Sequence, residues 1–208
     1  HALVKGKMNA EVFFSSYVCH PSLANNELSG PVVLASLLSY IKEKYPSPLF
    51  SYRFSLLPET IGSICYLSLY GSHLSDKMVC GFNLSCVGDD ERFSYIHTPY
   101  ANTVADDAIQ ASLIQHDDVI EYSFLSRGSD ERQYCSPPFN LPLVTFCRSK
   151  FGTYPEYHTS ADNLDFVSSE GLEGSIEVLK NIIDAFEICL YPLAIFPCEP
   201  QLGKRNLY

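Results

Sequence analysis

The chain has 208 residues, of which 46% are hydrophobic and 18% are charged. This length and composition predict one globular domain with a sizeable core and exclude extended disorder. The formal net charge of −10, without a basic stripe that could neutralise phosphates, argues against nucleic-acid binding. No run approaches the roughly 18 consecutive apolar residues of a membrane span, and no signal-peptide pattern opens the chain, so we expect no membrane partner.

Eight cysteines are spread over the chain, at positions 19, 65, 80, 86, 135, 147, 189 and 198. Most of them stand within apolar runs, and no pair has the CxxC spacing of a zinc site. The chain is also too long to be a small secreted disulfide scaffold. We therefore expect free thiols in a cytoplasmic protein.

Apolar runs and helical spacings alternate along the sequence. Strands are predicted at 11–18, 50–57, 78–87, 119–125 and 142–147. Helices are predicted at 29–45, 60–70, 102–116 and 168–189. The polar segments 88–101 and 126–141 are predicted to be long loops. The alternation predicts an α/β fold: a three-layer architecture with a mostly parallel, mixed sheet and helices on both faces.

Two domain-level predictions follow from the ends of the chain. Residues 1–195 are predicted to form one α/β domain, and an upstream portion is expected because the chain begins nearly inside a strand. Residues 196–208 belong to a proline-containing tail that we interpret as an exit segment or linker.

The segment from Cys19 to Gly30, CHPSLANNELSG, is the most informative part of the sequence. It places His20 after the first buried strand and immediately before the first long helix. Ligand sites of open α/β sheets are built at such carboxyl ends of strands. The alternative is an ordinary loop histidine before a helix. Cys19 is a weak candidate nucleophile, because neighbours on a strand end are expected to point in opposite directions.

Three further polar loops occupy comparable positions. Glu59 follows the second predicted strand, Asp130 and Arg132 lie in the segment RGSDERQY, and His158 lies in YPEYHTSADN. Taken alone, Glu59 is equally well explained as a first-turn helix residue and the RGSDERQY loop as a surface ion-pair cluster. Two histidines and a glutamate after separate strands, however, suggest a hydrolytic zinc site with a position open to water.

These four motifs together resemble the aminopeptidase-like domain of the DUF4910 group. That group is related to the M28 zinc aminopeptidases and is associated with bacterial polysaccharide biosynthesis. The resemblance implies a zinc-peptidase architecture, and it matches His20 and His158 to the two ligand histidines of M28 enzymes and Glu59 to their general base. It also places Asn26, Thr60 and Ser85 where M28 enzymes have acidic ligands.

This departure has an electrostatic consequence. Two zinc ions bring four positive charges, and three neutral residues cannot offset them in a partly desolvated cleft. We therefore expect one zinc ion per chain, held by His20, His158 and a carboxylate, for which Glu27 is the first choice. Asn26 could instead lend its carbonyl oxygen. Asp130 and Asp162 are expected to orient the histidines.

The sequence thus predicts a zinc-dependent hydrolase that cleaves a small amide or peptide-like substrate. Glu59 is the expected general base, Asp130 assists it, and Asn26, Arg132 and Tyr157 are the expected substrate-binding residues, with Tyr157 or Arg132 stabilising an oxyanion. If Glu59 is itself a ligand, the base is lost. The alternative is a catalytically reduced peptidase-like scaffold that binds a metabolite or partner. Homo-oligomerisation stays open.

Overall fold

The structure is a computed structural model that describes residues 1–188 and 201–206. Its strands are β1 (Ala2–Val4), β2 (Glu11–Tyr17), β3 (Ser51–Leu57), β4 (Met78–Leu84), β5 (Ser94–Ile96), β6 (Ile120–Tyr122) and β7 (Leu143–Cys147). Its α-helices are α1 (Ser29–Lys44), α2 (Ile61–Lys77), α3 (Val104–Leu113), α4 (Glu131–Tyr134) and α5 (Ser169–Ile188). A π-helical turn, Ala24–Leu28, precedes α1, and short 3₁₀ turns cover Phe124–Ser126 and Gly203–Arg205.

The strands form one mixed sheet in the order β1-β3-β2-β4-β7-β5-β6. The four central strands β3, β2, β4 and β7 run parallel to one another. Strand β1 is antiparallel to β3 at one edge, and β5 is antiparallel to β7 near the other. The predicted α/β fold with a mostly parallel, mixed sheet is confirmed.

Helices cover both faces of this sheet, as the buried residues of β2 show. Val12 and Phe14 belong to the larger core cluster, which contains the buried faces of α1, α3 and α5. Phe13 points the other way and joins a smaller cluster with Tyr66 of α2 and Tyr134 of α4. Successive side chains of a strand alternate between faces, so consecutive apolar residues of β2 pack on opposite sides of the sheet.

The structure differs from the sequence-based prediction in short elements. Strand β5 and helix α4 lie in segments predicted to be loops, and β1 was not predicted. Each of these has three or four residues, which is too short to show a hydrophobic period. The predicted strand 119–125 shortens to β6, and the predicted helix 60–70 extends through Lys77. The predicted domain boundary at residue 195 lies outside the described residues.

Two further expectations concern membrane-spanning helices and the state of the cysteine thiols. Among the described residues, no helix combines the length and apolar character that crossing a membrane requires. The six cysteines that the structure describes are free thiols, four of them buried, while Cys19 and Cys65 are exposed. Cys189 and Cys198 lie outside the described residues.

Candidate metal centre

Because β2, β3, β4 and β7 are parallel, the loops that follow them gather at one edge of the sheet. His20 lies three residues beyond the end of β2, and Glu59 lies two residues beyond the end of β3. The loop after β7 carries His158, and the loop before β7 carries Asp130. Strand order thus brings together imidazole and carboxylate side chains that are far apart in the sequence. His20 and His158, for example, are 138 positions apart (158 − 20).

His20 is the centre of this cluster. Its Nδ1 atom lies 3.2 Å from Sγ of Cys19 and 3.5 Å from Oε2 of Glu27. Its Nε2 atom faces Oε2 of Glu59 at 4.0 Å. The side chain of His20 is 23% exposed and that of Glu27 is 9% exposed, so the cluster is a partly desolvated cleft with an opening to solvent.

The position of Glu27 is set by the π-helical turn. One carboxylate, Asp162, accepts the backbone N–H groups of Asn25 and Asn26, at 2.6 and 2.9 Å, and so anchors the start of this turn. Glu27 in turn accepts the backbone N–H of His20 at 2.6 Å. Single π-helical turns are frequent at functional sites, since they re-aim side chains that an α-helix would direct elsewhere.

His158 lies beside His20 although it is far away in sequence. The two imidazole centroids are 5.1 Å apart, and the ring planes are inclined by 34°. His158 also stacks on Tyr157, with a centroid separation of 3.9 Å and an interplanar angle of 15°. Burial raises the pKa of Tyr157 to about 12, so its phenol stays protonated and able to donate at neutral pH.

Glu59 lies in a strained turn. Thr60 has φ 64° and ψ −67°, and the N–H of Ile61 donates to the carbonyl of Glu59 at 2.7 Å, which together define a γ-turn with positive φ. This conformation costs about 1–3 kcal/mol and persists only when neighbouring groups enforce it. Asp130 accepts the N–H of Thr60 at 2.7 Å, and Nη2 of Arg132 donates to Oγ1 of Thr60 at 3.0 Å.

Asp130 is fully buried, and its two oxygens differ. Oδ1 accepts from Thr60 N and, at 2.8 Å, from Oγ of Ser63, whereas Oδ2 has no partner among the described residues. Burial raises the pKa of Asp130 to about 6, and the nearby carboxylates of Glu59 and Glu131 add to the rise. The carboxyl group therefore titrates near neutral pH in the metal-free protein.

Neutral groups occupy the positions at which the resemblance places two acidic ligands. Nδ2 of Asn26 donates to the hydroxyl of Tyr17, and that hydroxyl lies 2.7 Å from Oγ of Ser85. All three residues are buried. Oδ1 of Asn26 has no partner among the described residues, and it is the one oxygen of this chain of contacts free to face a cation.

The donor set therefore fits one dication better than two. His20, Glu27 and His158 supply imidazole and carboxylate groups of the kind that bind zinc, and Glu59 adds negative charge nearby. A second ion would meet the neutral Asn26, Ser85 and Thr60 instead. Their hydroxyl and amide groups cannot offset its charge.

Two expectations about supporting residues are wrong. Neither Asp130 nor Asp162 contacts a histidine: their hydrogen bonds go to Thr60 and Ser63, and to the backbone of Asn25 and Asn26. Both carboxylates fix the backbone of a loop rather than an imidazole ring. Backbone N–H groups without a partner in a helix or strand lie closer to these carboxylates than the histidine rings do. The carboxylate in contact with the His20 ring is Glu27.

The expectation for Cys19 is wrong as well. Its thiol points to the same side as His20 and accepts the backbone N–H of Glu59 at 3.2 Å. Strand β2 ends at Tyr17, so the alternation of side chains no longer applies at position 19. Burial raises the pKa of this thiol. In the sequence, the signal that could have indicated that Cys19 belongs to this cluster is its position next to the candidate ligand His20.

A sequence profile described as "Domain of unknown function (DUF4910)" matches residues 1–188. The chain is 38% identical over 210 residues to a Clostridium acetobutylicum protein named as a polysaccharide biosynthesis protein with an aminopeptidase-like domain, a name that marks the assignment as provisional. The match covers 99% of this chain and 47% of that protein.

Solved structures show the same fold. A protein from Clostridium acetobutylicum, described provisionally as a peptidase, is 33% identical to this chain with a TM-score of 0.88. The match covers 98% of this chain and 48% of the other chain. An aminopeptidase from Aneurinibacillus sp. strain AM-1 is 18% identical with a TM-score of 0.74, covering 92% of this chain and 49% of its own. A zinc aminopeptidase from Bacillus subtilis has a TM-score of 0.74 at 16% identity, covering 87% and 48%. The chain thus spans about half the length of these proteins.

Proposed function

The chain belongs to the DUF4910 family and has an aminopeptidase-like fold, and on that premise we propose that it is a zinc-dependent hydrolase of the aminopeptidase or amidohydrolase type. It binds one zinc ion through His20, Glu27 and His158. The observation that carries the proposal is the convergence of these side chains, with Glu27 3.5 Å from His20 and the two imidazole centroids 5.1 Å apart.

The bound zinc ion would lower the pKa of a water molecule and polarise the amide carbonyl. Glu59 accepts the proton of the attacking water and returns it to the leaving amine. Its position in the same cluster, two residues beyond the end of β3, supports this role. Asp130 and Arg132 act on Glu59 indirectly, because both hold the Thr60 turn that aims it.

Tyr157, Arg132 and Asn26 are the residues proposed to contact the substrate. The phenol of Tyr157, kept protonated by burial, can donate a hydrogen bond to the oxyanion. Arg132 already donates through Nε to the carbonyl of Ser129 and through Nη2 to Thr60, which leaves the N–H groups of Nη1 and the second N–H of Nη2 for a substrate.

The substrate is proposed to be a small amide or peptide-like compound. The name of the Clostridium acetobutylicum relative connects that protein with polysaccharide biosynthesis. An aminoacylated sugar or nucleotide combines such a context with an amide bond that this site could hydrolyse. We place the reaction in the cytoplasm, which is consistent with the six free thiols among the described residues.

The second candidate function is that of a catalytically reduced scaffold that binds a metabolite or partner. The observation that favours it is the neutral chain of contacts formed by Asn26, Tyr17 and Ser85. A site that lost its acidic ligands retains the cleft but binds a metal ion more weakly.

Metal analysis combined with a hydrolysis assay tests the proposal. Protein purified without chelator is expected to contain about one zinc ion per chain. His20→Ala and His158→Ala should lose the ion, whereas His116→Ala, at an exposed position outside the cluster, should keep it. Glu59→Gln should keep the ion but lose about 10²–10⁴-fold in amine release from aminoacyl anilides and aminoacyl amino-sugars.

The control for Glu59 is Glu170→Gln, which removes an exposed carboxylate at the start of α5. It should hydrolyse as fast as the unchanged protein. Protein without bound metal and without Glu59-dependent amine release would overturn the hydrolase proposal and favour the scaffold.

A further inference from the structure

We infer that Cys19 is a thiolate ligand of the metal ion, on the Nδ1 side of His20 and together with Glu27. The inference rests on the metal of the proposed function. Among the described residues, Cys19, His20 and Glu27 form a group whose candidate ligand atoms all lie within 4.8 Å of one another. Thiolate, imidazole and carboxylate are the three ligand types that zinc takes from proteins.

The distances within this group are close to those of a coordination shell. Ligand atoms bound at about 2.0–2.3 Å around a tetrahedral zinc ion lie roughly 3.3–3.8 Å from one another. Sγ of Cys19 lies 3.2 Å from Nδ1 of His20, and Nδ1 lies 3.5 Å from Oε2 of Glu27. Small adjustments of the side chains are enough to admit the ion.

Charge supports the same assignment. With Asn26 and Ser85 neutral, Glu27 is the one anion among the ligands of the proposed function, and its single charge offsets half of the charge of the dication. The thiolate of Cys19 completes the compensation, and the thiol proton leaves to solvent as the ion binds. Backbone N–H groups support both anions: Glu59 N donates to Sγ of Cys19 at 3.2 Å, and His20 N donates to Glu27.

The geometry does not suit a cysteine nucleophile. In a nucleophile–base pair, the histidine contacts the thiol through one ring nitrogen and an orienting group through the other. Here Cys19 and Glu27 both face Nδ1. Glu59, the group opposite Nε2, lies 4.0 Å away, which is beyond hydrogen-bond distance.

The inference has a consequence for activity. Cys19, His20, Glu27 and His158 would together supply four ligands, which is the full number for a tetrahedral zinc site, whereas catalytic sites keep one position for water. Cys19 and water therefore compete for one position. Cys19→Ser is expected to hydrolyse the substrate faster than the unchanged protein, whereas loss of a nucleophile would abolish hydrolysis.

Cobalt substitution tests the ligand directly, because Co²⁺ shows a near-ultraviolet charge-transfer absorption when it binds a thiolate. We expect this absorption in the unchanged protein and in Cys65→Ser, which removes the other thiol that is exposed among the described residues. Cys19→Ser should lose it while still binding cobalt. His20→Ala should lose both the absorption and the metal.

Alkylation gives an independent measurement. Zinc should slow the modification of Cys19 by iodoacetamide roughly tenfold or more and leave that of Cys65 unchanged, as followed by peptide mass spectrometry. Each of four results would overturn the inference. The first two are bound cobalt without the absorption and an absorption that survives Cys19→Ser. The other two are equal alkylation of Cys19 with and without zinc and slower hydrolysis by Cys19→Ser. Failure of the proposed function would be distinguishable from failure of this inference. It would show as a cobalt–thiolate absorption that depends on Cys19, without any Glu59-dependent hydrolysis.

Discussion

Oδ1 of Asp130 accepts the backbone N–H of Thr60 at 2.7 Å, across 70 residues of sequence. This hydrogen bond joins the loop before β7 to the turn after β3, and that turn carries Glu59. A residue without contact to the reacting groups thus controls where the candidate base lies. We therefore propose Asp130 as a positioning residue, and we expect its buried carboxyl group to make the stability of the protein dependent on pH.

Asp130→Asn is expected to remove one component of the pH dependence of unfolding in the metal-free protein. The pKa of Asp130 is raised from 3.8 to about 6 by burial, so the folded state binds a proton more readily than the unfolded state. Its contribution to the free energy of unfolding therefore increases as pH falls from about 6 towards 4. Urea unfolding of both proteins at several pH values measures the difference. A difference independent of pH would contradict the assignment.

Thr60→Gly is expected to be more stable than Thr60→Ala by about 1–2 kcal/mol, because only glycine adopts the positive φ of this turn without strain. Both variants lose the hydroxyl that binds Arg132, so their difference isolates the backbone effect. The order should reverse at the exposed Ser68 within α2, where glycine is about 1 kcal/mol worse than alanine. Thermal unfolding of the four variants checks both signs.

Asn26→Asp should convert the neutral position into an acidic one. Without metal, a carboxylate buried beside the hydroxyl of Tyr17 is expected to lower the free energy of unfolding by about 1–3 kcal/mol. With zinc in excess, the variant should bind more than one ion per chain and recover stability. Asn163→Asp, at an exposed loop position, should change neither quantity. Unchanged metal stoichiometry in Asn26→Asp would contradict the charge argument.

Gly171→Ala is expected to destabilise the protein by about 1–3 kcal/mol through overpacking. An added Cβ at Gly171 would lie 2.4 Å from the carbonyl oxygens of both Gly88 and Asp89, which are backbone atoms that cannot easily move. At Gly174 the nearest atom is the flexible end of Arg148, at 2.9 Å. Gly174→Ala should therefore be close to neutral. Equal denaturation midpoints for the two variants would show that the start of α5 tolerates displacement.

Asp89 shows how a polar segment can contain a buried residue. In sequence, Asp89 lies in the segment 88–101, which is predicted to be a loop. In the structure Asp89 is buried and accepts hydrogen bonds from Nδ2 of Asn25 and from Ser149. It links the π-helical turn to the loop after β7, and these partners lie about 60 residues away in sequence, where no local pattern indicates them.

The sequence by itself determined the α/β order, the buried parallel strands and the loops that carry His20, Glu59, Asp130 and His158. These features follow from hydrophobic periodicity and from the positions of polar residues after strands, both of which are local properties. Only the tertiary structure decided that Cys19 and His20 face the same side, that a γ-turn aims Glu59, and that Asp130 and Asp162 hold loops instead of histidines. Hydrogen bonds between distant segments depend on how the elements pack, and spacing along the chain carries no record of that packing.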